Sequence, residues 1–276
     1  MTRVAPAAAW FRRAIPVTIV VFAAGIVVSL GVGPCAREDS ARCGNGFVAR
    51  GVRCYPAGTC PAPLVRTGRG CDAPEVRLSI AACTIAIGPS DWEAEGRVPP
   101  RWIQVGAFRI DAFEVTRGHW HSDSNVDDAA RAACAMTREE AASFCQRHGG
   151  RLPTEDEWIV AATSAASPPR RYPWGDTGAV CRRAAWGLAN GPCAHSADGP
   201  DTVGAHGDGA SPLGMFDLAG NVAEWVAADQ ARPEIGVAKG GSWHSELATD
   251  LRVWARLEVS PNARDPRIGV RCAYPP

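Results

Sequence analysis

A chain of 276 residues is long enough for one sizeable core with accessory segments. Its 29 Lys+Arg balance 29 Asp+Glu, for a formal net charge of +0, so there is no basic excess to neutralise phosphates and no nucleic-acid partner is expected. Its 11 cysteines include no Cys-x-x-Cys pair, which points away from a metal knuckle and toward disulfides in an oxidising compartment.

Arg3, Arg12 and Arg13 precede an uncharged run over residues 14–33. At about 1.5 Å per residue such a run spans roughly 30 Å, the thickness of a bilayer core. The positive flank keeps the N-terminus in the cytoplasm. Residues 1–36 therefore read as a cytoplasmic N-terminus and signal-anchor helix, which would leave a single-pass cell-membrane protein with its bulk extracytoplasmic, periplasmic or extracellular. The alternative is secretion after signal cleavage, with Ser29 and Gly31 as the small residues of a cleavage site.

Residues 37–74 form a Cys-rich linker module with too few apolar residues to fold without staples. Pairing within each half, Cys43–Cys54 and Cys60–Cys71, gives the shortest loops and is one of three possible connectivities. Trp102, Val105, Phe108, Ile110, Phe113 and Val115 then alternate with polar and small residues, a broken strand pattern. Thr137 and Glu140 have the spacing of a helix capping box, and so do Thr154 and Glu157. The second helix should turn Trp158, Val160 and Ala161 inward, and its acidic first turn is explained by the helix dipole rather than by acid–base chemistry. Residues 163–213, rich in Gly, Pro, Ala and Asp, read as a long surface loop pinned by Trp174, Trp186 and a Cys181–Cys193 bridge.

Five separated motifs then carry a family resemblance. They are Gly150-Arg151-Leu152-Pro153-Thr154-Glu155-Asp156-Glu157-Trp158; Tyr172-Pro173-Trp174-Gly175-Asp176; Gly214-Met215-Phe216-Asp217-Leu218-Ala219-Gly220-Asn221-Val222-Ala223-Glu224-Trp225; Lys239-Gly240-Gly241-Ser242-Trp243; and Ile268-Gly269-Val270-Arg271-Cys272. Together they resemble the formylglycine-generating enzyme (sulfatase-modifying factor) family. The resemblance implies, over residues 75–276, an α+β, C-type-lectin-like fold with short twisted sheets and two main helices. It also implies a structural calcium held by the Asp217 and Glu224 side chains and the Gly220 and Val222 carbonyls. Hard calcium suits that mix of carboxylates and main-chain oxygens. The family's other calcium site begins with Asn where Ala184 stands, so it is not expected.

The same resemblance places the family's two copper-binding catalytic cysteines at Ser245 and Asp250. Soft copper(I) needs sulfur, and oxygen donors favour hard ions, so copper is not expected and no catalytic residue is assigned. One family bridge falls at Cys145–Cys272. A second would fall at Ala162 and Ala255, where both partners are missing together. Of the remainder, Cys83–Cys134 is a guess by elimination, and Cys35 is left odd beside the membrane.

His119 and His121 would share one face of a strand, and His244 neighbours Ser245, but no sequence logic joins them into a metal site. A Ser245–His244–Asp250 triad would lie within seven residues and lacks a nucleophile elbow. The expected function is a membrane-tethered binding or scaffolding domain. Its old substrate groove, formed by Ser242, Trp243, His244, Ser245, Asp250 and Arg252, would take a protein, peptide or glycan. The alternative is an oxygen-dependent oxidoreductase with a different ligand set, acting on an exported peptide or small molecule.

Overall fold

The computed structural model describes residues 58–68, 70–87, 101–121, 128–166 and 170–276, and the backbone of residues 47–50 and 53–56. The apolar N-terminal run, Cys35 and Cys43 lie outside the described residues, and with them the membrane anchor and the Cys43–Cys54 pairing. Among the described residues no helix is long and apolar enough to cross a membrane.

Two hairpins open the described chain: β1 (Phe47–Arg50) with β2 (Arg53–Pro56), and β3 (Val65–Thr67) with β4 (Gly70–Asp72). Strands β5 (Arg77–Ile80), β6 (Cys83–Ile87), β7 (Arg101–Val105) and β8 (Phe108–Asp111) follow. Three helices come next, α1 (Arg117–Trp120), α2 (Arg138–Arg147) and α3 (Glu155–Thr163). The last stretch carries β9 (Ala223–Trp225), β10 (Gly236–Lys239), β11 (Leu257–Val259), β12 (Ile268–Gly269) and β13 (Ala273–Tyr274). A four-stranded sheet runs β11-β10-β9-β12, a three-stranded sheet runs β13-β8-β5, and β6 pairs with β7. This is the short-sheeted α+β architecture expected.

Both long helices start where their sequence says. Thr137 caps α2 and Thr154 caps α3, each with a reciprocal bond to the Glu three residues on. Helix α3 then buries Trp158, Val160 and Ala161, as its pattern demands, and also Ile159 and Ala162. Every residue of β9 and β10 is buried, so neither strand shows polar alternation. The two pair antiparallel, while β12 joins the other edge of β9 in parallel. The 214–225 loop thus leads straight into the centre of the sheet.

Disulfides Cys60–Cys71, Cys145–Cys272 and Cys181–Cys193 are formed. Cys83 and Cys134 remain thiols, which corrects the pairing guessed by elimination. Cys83 packs against the core cluster around Trp158, and Cys134 against a different one around Phe113 and Val222. Three further expectations need correction. Trp102 points outward at 73% exposure and Ile103 is buried in its place, while Val105, Phe108, Ile110, Phe113 and Val115 are buried as the pattern expects. His119 lies on α1 and His121 caps it, so the two are not on a strand. The 163–213 segment is irregular, but it is not only surface: Trp186, Leu188 and Val203 are buried. Within the bridged half of the Cys-rich segment, Leu64, Cys71 and Ala73 share a core cluster with Phe113, Val203 and Val222.

Candidate functional site

Two neighbouring features carry the motif residues: an open groove and a buried charge network behind it. The groove, about 480 Å³, is lined by Ser242, His244, Ser245 and Asp250, with Arg256 and Arg267 among its charged walls. Ala223 and Ala238, from β9 and β10, also line it, as does Ala255. The turn that supplies Ser242 to Ser245 is self-bonded. The Ser245 amide donates to the Ser242 carbonyl at 3.0 Å. The Ser242 amide donates to Ser245 Oγ at 3.1 Å. Gly241 precedes this turn at φ +72, and a Cβ there would meet the Asp250 carbonyl oxygen at 2.8 Å. A glycine is what lets the turn close against the short helix over Ala248–Leu251 that carries Asp250.

Groove chemistry follows from these contacts. The Ser245 hydroxyl is engaged by a backbone donor in its own turn, and among the described residues no base is bonded to it, so it lacks the activation of a nucleophile there. Burial pushes the Asp250 carboxyl up, while hydrogen bonds from Thr249 and Leu247 pull it back. Arg267 is held by both oxygens of Asp265. Trp243 sits in the adjoining wall rather than in the groove, and its indole donates to the Pro266 carbonyl at 3.1 Å. Arg252 is not a groove residue either; it is 7% exposed and lies beside the Trp254 ring.

The 217–224 loop forms the second feature. Asp217, Gly220 and Asn221 all have positive φ, at 57, 84 and 55, which folds the loop back on itself. Asp217 Oδ2 accepts from the Gly204 amide at 2.5 Å. Glu224 is 1% exposed and accepts from the Arg271 guanidinium on both oxygens and from the Trp158 indole at 2.7 Å. Glu114 completes the network, accepting from the Asn221 side chain and the Val222 amide. Burial pushes the Glu114 carboxyl well above its usual range, and the Asp217 and Glu224 charges add to this. Asp217 is likewise raised, chiefly by burial, with the Gly204 amide opposing. Arg271 stays firmly protonated because Glu224, Glu114 and Asp217 outweigh its own burial.

Sequence reasoning assigned Asp217 and Glu224 but missed Glu114 and Arg271 as members of this network. Arg271 carried a signal, since a basic residue inside the apolar Ile-Gly-Val-Arg-Cys run needs a buried anion. Glu114, 107 residues away from Asn221, carried none.

Three buried carboxylates surround one buried guanidinium, so the loop holds surplus acid, which suits a hard cation. No three His, Cys, Asp or Glu side chains among the described residues converge as a metal cluster. A calcium ion would therefore depend on the Gly220 and Val222 carbonyls beside two carboxylates, and Glu224 would share its oxygens with Arg271.

Comparison with known proteins agrees with this geometry. A family model described as the sulfatase-modifying factor enzyme 1-like domain matches residues 71–275. The inactive C-alpha-formylglycine-generating enzyme 2 of Bos taurus is 32% identical over 149 residues, covering 49% of this chain and 47% of the relative. A hercynine oxygenase of Mycolicibacterium thermoresistibile is 31% identical over 242 residues, covering 74% of this chain and 51% of the relative. The chain thus spans about half the length of these curated relatives. Among solved structures, PvdO from Pseudomonas aeruginosa superposes with a TM-score of 0.61 at 16% identity, over 79% of this chain and 100% of PvdO, a likeness of fold. With the family model spanning the charge network, the groove and the Cys145–Cys272 bridge alike, this chain belongs to the formylglycine-generating enzyme (sulfatase-modifying factor) family.

Proposed function

We propose that this chain is a membrane-tethered, extracytoplasmic member of the family that binds a protein, peptide or glycan in the groove and carries out no oxidation there. The observation that carries this reading is the Ser242–Ser245 turn. At the two positions that the resemblance assigns to the family's cysteines, the groove presents a backbone-bonded hydroxyl and a carboxylate. Neither is a ligand for copper(I). The likeness to a relative named as inactive supports the same reading. Three disulfides fit an oxidising compartment, and the Arg-flanked apolar run at residues 14–33 supplies the tether. Calcium, held through Asp217, Gly220, Val222 and Glu224, is the structural ion of this proposal.

A second reading is an oxidoreductase with another ligand set, and the likeness to a protein named hercynine oxygenase favours it. One experiment separates the two. Metal analysis of the purified full-length chain, paired with oxygen uptake in the presence of copper(I) and a cysteine-containing peptide, should give calcium and no uptake above the protein-free rate. Stoichiometric copper or iron with oxygen consumption would establish the oxidoreductase instead.

A further inference from the structure

Of the three bridges among the described residues, Cys181–Cys193 is the most open to solvent. Cys181 is exposed and Cys193 half-buried. In Cys60–Cys71 one partner, Cys71, is buried, and in Cys145–Cys272 both are. Thiol–disulfide exchange needs an attacking sulfur to reach the bond, so access ranks Cys181–Cys193 first for reduction. We propose that this bridge is a redox switch on the groove: a dithiol that reduces it frees the 182–192 loop and loosens the turn that carries Ser242, Trp243 and His244.

The bridged loop is joined to that turn by a ring of main-chain bonds. The Asn221 amide donates to the Ala185 carbonyl at 2.7 Å, the Trp243 amide to the Asn221 carbonyl at 2.7 Å, and the Leu188 amide to the Trp243 carbonyl at 2.8 Å. The ring starts and ends inside the loop that the bridge closes. Ala185, Leu188 and Trp243 also share one small core cluster, with Cys193 packed against it. Ser242 and His244, on either side of Trp243, line the groove. Movement of the loop therefore reaches the groove through Trp243.

Opening also relieves a cost inside the loop. Trp186 is 6% exposed, and its indole Nε1 is buried without an acceptor. An orphaned donor of this kind costs free energy that contact with water would recover. While the bridge stands, the ends of the loop stay joined across a separation of 12, which restricts its open forms.

The chemistry balances with the dithiol alone. One of its sulfurs, as thiolate, attacks a bridge sulfur. The Cys181–Cys193 bond breaks, a mixed disulfide forms with one cysteine, and the other leaves as a thiolate and takes a proton. The second thiol of the dithiol, losing its proton, then displaces the bound cysteine. Two cysteine thiols result, and the dithiol ends as its own disulfide, oxidised by two electrons. The switch is the same whether the groove binds or oxidises what enters it.

The test uses the full-length chain in detergent, with dithiothreitol as the dithiol. Thiols are trapped with N-ethylmaleimide under native conditions and mapped by peptide mass spectrometry. Cys181 and Cys193 should become labelled at about tenfold less dithiothreitol than Cys60, Cys71, Cys145 or Cys272. Under that partial reduction, amide exchange at Leu188, Asn221 and Trp243 should quicken about tenfold or more, while the Val226 amide, bonded to the Val237 carbonyl in β10, keeps its rate. Cys181→Ala with Cys193→Ala should show the fast exchange without dithiothreitol and gain nothing from it. Earlier or simultaneous opening of either of the other two bridges overturns the proposal. So does unchanged exchange at Asn221 and Trp243, whatever happens at Leu188, since the bridge would then be a local staple. The native chain decides both points even if the double variant fails to fold.

Discussion

Lys239 ends β10 with its side chain enclosed, 3.2 Å from a Glu155 oxygen and over the Trp158 ring. It is the chain's one lysine. Burial lowers its amine from the ordinary 10.5 to about 8, with Glu155 opposing the shift. Below pH 8 the ammonium is charged in both folded and unfolded chains, and the folded state bears the cost of enclosing it. Between about 8 and 10.5 the unfolded chain binds more protons, so this residue's contribution to stability rises with pH through that window. The full effect is of the order of 3 kcal/mol. The stability of the native chain minus that of Lys239→Met, measured by denaturant unfolding at pH 7, 8.5 and 10, should therefore increase with pH. A constant difference would show that the amine is not held against its charge. The sequence showed that Lys239 was unusual, but not that it was buried, because enclosure comes from α3, an element some eighty positions away. The same holds for Glu224. Its presence in a motif was legible; its bond to Arg271 required the chain to close on itself.

Elements were legible where their signals are local. The starts of helices α2 and α3 could be placed to the residue because a capping box is a contact between neighbours in sequence. The outward position of Trp102 at the start of β7 was not, since a broken alternation cannot say which face is covered when the partner is one other short strand. Nor was the buried side of the 163–213 segment, where Trp186 and Leu188 pack against residues from the 214–251 region without any periodic pattern. The α3 cap yields a graded prediction. Thr154 Oγ1 accepts from the Glu157 amide at 3.1 Å, and Glu157 returns a bond to the Thr154 amide at 2.9 Å. Glu157 also receives both terminal nitrogens of Arg151 at 2.6 Å. Thr154→Ala should lower unfolding free energy by about 1 kcal/mol, and Thr154→Ser should restore most of it. Glu157→Ala, which removes the cap bond and the Arg151 pair together, should lower it further. A Glu157→Ala loss no greater than that of Thr154→Ala would show that the ion pair adds nothing.

At the scale of the whole molecule, the three bridges among the described residues do three different jobs. Cys60–Cys71 pins the 60–71 segment onto the core cluster around Phe113 and Val203, and Cys181–Cys193 closes a loop at the surface. Cys145–Cys272 ties α2 to the strand region that ends the chain, across a separation of 127 residues, with both cysteines at 0% exposure. A cross-link removes more freedom from the unfolded chain as the loop it closes grows. On that account the long bridge contributes about 5 kcal/mol, and the Cys181–Cys193 bridge, with a separation of 12, about 3 kcal/mol. Removing the long bridge should also leave a void between α2 and β13, because its sulfurs lie in the same packed cluster as Phe144, Trp225 and Ile268. Both effects act in one direction. The paired substitution Cys145→Ala with Cys272→Ala should therefore lower the guanidinium unfolding midpoint more than Cys181→Ala with Cys193→Ala does. The opposite order would mean that the unfolded chain is already compact around α2 and the C-terminal strands, so that the long bridge restrains little.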